Sequence, residues 1–208
     1  MKEIKGKRWM IPLYGLALVF SLVLGSVLVV SHPMVWEKIH RNAMGDKLKE
    51  KHYDDANRIT GGLWTQEPYQ EISDSLIHMK MNPKEVAHYG DVRSLISTAK
   101  VVLAVCVVLV LIGCVMVGWR RVWGSGFASF VLLAIIAGVW MLINWHSLFK
   151  ALHWAIFMDD SWKLPNNSYS LGLFPHKVWQ NAGGVIGVLV LIPLLVPIFI
   201  RKPGSRNR

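Results

Sequence analysis

Four stretches of this chain are too long and too apolar to fold in water as surface helices. Residues 10–30, 101–119, 127–145 and 183–200 contain no Asp, Glu, Lys or Arg. A helix needs roughly 20 apolar residues to cross a hydrocarbon core of about 30 Å. In that core, backbone N–H and C=O groups find partners only within a helix or a closed barrel. Runs of this length, with no two-residue alternation, predict four transmembrane helices and an all-α integral membrane protein. Trp9, Trp119, Trp123, Trp145 and Trp179 stand near the run ends, where aromatic belts form. The charged share of 17% falls well short of the roughly 25% of soluble domains.

The charges between the runs fix a direction. The chain carries 23 Lys and Arg against 13 Asp and Glu, a net +10. Ten of the cations (Lys2, Lys5, Lys7, Arg8, Arg120, Arg121, Arg201, Lys202, Arg206 and Arg208) and one anion, Glu3, lie at the two ends and in the link at 120–126. The other 13 cations and 12 anions nearly balance in residues 31–100 and 146–182. The positive-inside rule then predicts a cytoplasmic N-terminus (1–9), link (120–126) and C-terminus (201–208), with 31–100 and 146–182 outside. The basicity is a topology signal, so it gives no support to nucleic-acid binding. The first run is preceded by KEIKGKRW, exceeds a signal-peptide core and lacks an A-x-A site. It is read as an uncleaved anchor.

All eight histidines fall in the two outer segments, so any chemistry is expected on the outer face. The segment 31–100 reads as an extracytoplasmic helical cap, with one or two short helices lying over the membrane. A further helix starts at Asn82-Pro83-Lys84-Glu85, where Asn82 can cap, Pro83 suits the first position and Glu85 can close a capping box. That helix places His88, Asp91 and Leu95 on one face, with Gly90 a point of possible distortion. The segment 146–182 begins as an extension of the third run. His146, Phe149, His153, Ile156 and Phe157 share a helical stripe. A straight helix from Phe127 to Phe157 would be about 46 Å long, so the extension must rise above the bilayer or bend into its interface.

A carboxylate one turn from an imidazole suits a general base, which makes His88 with Asp91 one candidate and a surface ion pair the plainer alternative. His153 among Phe149, Trp154 and Phe157 is held neutral by its apolar setting, or simply anchors the helix at the interface. Asp159-Asp160 reads as a helix-ending polar pair, and Trp162 and Tyr169 either line an acyl cleft or sit at the lipid interface, the interface being favoured for either alone. No HExxH, G-x-S-x-G or P-loop is present, and no cofactor or metal is expected. Cys106 and Cys114, eight residues apart in one run, read as packing residues. A metal-dependent hydrolase with histidine ligands and a non-catalytic accessory protein remain as alternatives.

Two blocks carry a resemblance. HYGDVRSL (88–95) leads into the second run, and NWHSLFKALHWAIFMDDSW (144–162) leaves the third, followed by LGLFPHKVW before the fourth. This arrangement resembles the lipoprotein intramolecular transacylase (Lit) family of Gram-positive bacteria. The resemblance implies an acyltransferase that moves the sn-2 acyl chain of a diacylglyceryl-modified lipoprotein to the α-amino group of its N-terminal cysteine. It implies His88 and His153 as the catalytic pair, with Asp91, Arg93 and His146 supporting, and lipoproteins and membrane lipids as partners. One departure concerns the position before LFP, where an acidic residue is expected and the chain reads Asn166-Asn167-Ser168.

Overall fold

A computed structural model describes residues 9–158 and 160–199. Asp159 and the basic ends on which the topology reading partly rests lie outside the described residues. The described chain is helical, without strands: α1 (Ile11–Val30), α2 (Pro33–Met44), α3 (Glu50–Thr65), α4 (Tyr69–His78), α5 (Pro83–Val117), α6 (Trp119–Phe157), α7 (Tyr169–Leu173) and α8 (His176–Phe199). A 3-10 turn at Gly45–Lys47 joins α2 to α3. Four helical segments are long and apolar enough to cross a membrane: α1, α5, α6 as far as Asn144, and α8 as far as Val196.

These four run alternately up and down. The segment 120–126, read as a link, is helical. The turn is the single residue Gly118 at φ 91°, a left-handed conformation that glycine adopts without steric penalty. In lipid, helices associate through close packing of small residues, and the crossings here follow that rule. A Cβ on Gly113 of α5 would meet the Tyr14 ring of α1 at 2.5 Å, and one on Gly126 of α6 would meet Leu18 at 2.8 Å. Pro197 has no N–H to give the carbonyl of Pro193. The indole N–H of Trp123 donates to that carbonyl instead, at 3.1 Å.

The buried apolar residues form two clusters rather than one. Tyr14, Ala17, Leu18, Val110, Val117, Val122, Val190 and Leu194 hold the four helices together at the Gly118 end. A larger cluster lies at the opposite end, where α2, α3, α4 and α7 pack over the first turns of α5 and α8 around Trp36, Ile59, Leu76, Tyr89 and Val178. Residues 31–100 supply most of this second, capping cluster. It comprises three helices before α5 and draws in α7 from the second segment. Between the clusters α6 stands apart. No residue from Val131 to Asn144 whose side chain is described is buried, and Leu142 and Ile143 are 86% and 78% exposed.

Candidate active site

α5 begins as its sequence dictates. The Asn82 side chain accepts from the backbone N–H groups of Lys84 and Glu85, and Glu85 Oε2 accepts from the Asn82 backbone N–H at 2.9 Å, closing the capping box. The helix then continues unbroken past Gly90. The missing Cβ there makes room for the Tyr69 ring, which a methyl group would meet at 2.9 Å, so the glycine serves packing and introduces no kink. His88 therefore rides on a straight helix. The 30 residues from His88 to Val117 span about 43 Å of helix.

α6 is built differently. It breaks at Asn144, whose φ −159° and ψ 89° are extended rather than helical. Asn144 Oδ1 accepts from the Ser147 backbone N–H at 2.9 Å and caps a new helical arm. Trp140 Nε1 donates to Ser147 Oγ at 3.3 Å across the break. The extension thus bends, one of the two outcomes its length required. Leu152, Trp154 and Ile156 are exposed, while Leu148 is buried and Phe149, His153 and Phe157 are half-buried against the protein.

This bend brings the two imidazoles to one place. The Phe157 ring neighbours both, with centroids 5.2 Å from His88 and 5.9 Å from His153. The two histidine rings can be no farther apart than the sum of those separations, about 11 Å. Trp162 stands 5.0 Å from His153 and 5.9 Å from Phe149, so it forms a wall of the site rather than an isolated interfacial anchor. His176, at the start of α8, faces Phe149 at 6.2 Å.

The state of His153 follows from its neighbours. Its Nδ1 lies 2.9 Å from the Phe149 carbonyl oxygen. A carbonyl only accepts, so Nδ1 carries the proton, and in the neutral ring Nε2 keeps a lone pair. Burial lowers the pKa below its ordinary value, against a smaller raising effect of the Phe149 carbonyl. The ring is neutral at physiological pH and basic at Nε2.

The supporting residues are placed as follows. Asp91 is half-buried and makes no hydrogen bond or ion pair among the described residues, so the orienting bond to His88 suggested by the spacing is not formed. Arg93 donates from Nε to the Glu67 carbonyl at 2.9 Å and from Nη2 to the Gln66 carbonyl at 3.2 Å. It caps the C-terminal end of α3 and ties that end to α5, a favourable place for a cation. His146 is exposed on the first turn of the arm, away from the ring cluster. Among the described residues no three His, Cys, Asp or Glu side chains converge as a metal site would require.

Sequence reasoning missed Glu85 as more than a cap. It is 1% exposed, and its Oε1 accepts from the Ser170 backbone N–H at 2.8 Å and the Ser170 hydroxyl at 2.7 Å. Asn82 Nδ2 and the Asn82 backbone N–H both donate to Oε2. With four donors its charge is satisfied. The acidic residue expected before LFP is absent from that segment, but two carboxylates reach it from elsewhere. Glu85 holds Ser170, and Asp55 accepts from the Tyr169 hydroxyl at 2.6 Å. Burial, then the bond to Asp55, pushes the Tyr169 phenol up to about 12.

The fold and the gathered rings define a four-span helical protein with an imidazole-containing site beyond the ends of its apolar segments. The family model described as lipoprotein intramolecular transacylase Lit matches residues 13–177. The chain belongs to that family. No curated protein and no solved structure matches it.

Proposed function

We propose that this protein moves the sn-2 acyl chain of a diacylglyceryl-modified lipoprotein onto the α-amino group of the lipoprotein's N-terminal cysteine, leaving a lyso-form lipoprotein. The observation that carries the reading is that the His88 and His153 rings, on two different elements, both neighbour the Phe157 ring. Family membership supports a lipoprotein transacylase in general; the specific transfer is our reading of the site.

Donor and acceptor belong to one substrate molecule, so holding the head group bent supplies much of the rate through proximity. His153 Nε2, neutral and unprotonated, takes a proton from the cysteine ammonium. The freed amine attacks the ester carbon; a C–N bond forms and the C–O bond to glycerol breaks. The second N–H proton passes through the histidines to the leaving glycerol oxygen, with net release of one proton. His88 supplies that proton and donates to the oxyanion. The fixed tautomer of His153 and the unengaged Asp91 favour this assignment over the reverse, in which His88 is the base. Asp91, one turn away, supports a positive charge on His88 through space. The active site faces outward and both termini lie in the cytoplasm.

The test is mass spectrometry of a lipoprotein N-terminus from cells with and without this protein. Loss of the sn-2 acyl chain with gain of an N-acyl amide is expected only when it is present. His88→Ala and His153→Ala should each lower turnover by about 10²–10⁴-fold, the usual worth of a general acid or base. Unaltered turnover in either variant sinks the two-imidazole mechanism.

A further inference from the structure

A cavity of about 500 Å³ opens in the cap at the N-terminal end of α5, apart from the His88–His153 cluster. Its lining includes Lys51 of α3, Lys80 after α4, Asn82 and Glu85 of α5, and Asn167 and Tyr169 beside α7. The polar groups divide into two sets. Glu85 has both oxygens taken by Asn82 and Ser170, and the Tyr169 hydroxyl is bonded to Asp55. The ammonium groups of Lys51 and Lys80 make no ion pair or side-chain hydrogen bond among the described residues, and both lysines are exposed with Asn167. The cavity thus offers uncommitted cations and an amide, while its one carboxylate is already bonded.

Its position gives the occupant. Glu85 lies one turn before His88 on the same unbroken helix, on the side away from the apolar stretch of α5. A lipoprotein anchored by its acyl chains and reacting at its first residue must lead its polypeptide away from the bilayer, past this turn. Three extended residues cover about 10 Å, more than the roughly 4.5 Å that three helical residues advance. We propose that this cavity is a polypeptide subsite. It receives the residues that follow the lipidated cysteine, with Asn82 and Asn167 facing the peptide backbone and Lys51 and Lys80 favouring acidic side chains at about the third and fourth positions. The inference rests on the transacylase reading above.

The experiment uses the purified full-length protein and synthetic diacylglyceryl lipopeptides with Asp or Lys at positions three and four. Binding is measured with the α-amine acetylated, which blocks transfer, and turnover with the amine free. The acidic lipopeptide should bind about fivefold more tightly than the basic one, the scale of two exposed ion pairs. Lys51→Gln with Lys80→Gln should level the preference, and Lys51→Glu with Lys80→Glu should invert it. Equal binding of both lipopeptides by the unmodified protein, or a preference that survives charge reversal, overturns the subsite. A charge-dependent binding preference without acyl transfer from the free-amine lipopeptides keeps the subsite and removes the transacylase reading.

Discussion

His40 is fully buried in the cap, its ring stacked 6.0 Å from Phe174 and edge-on to Tyr53 at 4.9 Å. Burial lowers its pKa, outweighing the raising influence of the Leu173 backbone, and Arg41 lowers it further. A histidine depressed in the folded state contributes stability that is complete above its ordinary 6.5 and is lost as pH falls through the depressed value. His153 adds to the same trend. Stability should therefore fall between pH 7 and pH 5, by up to about 1.4 kcal/mol per pH unit for each histidine, and the melting temperature with it. His40→Phe should flatten that drop in a thermal melt at the two pH values; an unchanged slope would show that another group governs it. Residues such as Asn82 and Pro83 were legible because their roles are local and set by spacing. Glu85 was only half legible. Its cap is local, but its bonds to Ser170 span 85 residues of chain, and no periodicity records a partner that distant.

At the scale of elements, the apolar runs announced the spans, while their ends were set by tertiary packing. α5 and α8 extend into the cap beyond their apolar stretches because Tyr89 and Val178 join its core. Length alone required α6 to bend or protrude, but not where. The break falls at Asn144 because an asparagine carbonyl caps the next turn. Asn144→Ala removes that cap and offers a residue of high helix propensity, which favours a straight α6 and carries His153 away from His88. Activity in the lipoprotein assay should fall at least tenfold, while the four spans and the expression level stay unchanged. An active Asn144→Ala enzyme would show that the arm is held by its contacts rather than by the break.

For the whole molecule, the alternation of four spans puts the Gly118 turn and the cap at opposite ends. On the proposed topology the cap is the outer side. In a cysteine-free background, Lys49→Cys should react with an impermeant maleimide on intact cells, and Arg121→Cys only after lysis. The reverse pattern would invert the topology. The two buried clusters leave no described side chain of α6 buried from Val131 to Asn144, and that half carries the arm with His153. With few protein contacts to oppose it, hydrophobic mismatch, at a fraction of a kcal/mol per Å, can adjust its tilt. Bilayer thickness becomes a control on how the two imidazoles meet: in vesicles of graded acyl length, turnover should pass through a maximum and decline on either side. An enzyme built this way is tuned by the same class of molecule whose chains it rearranges.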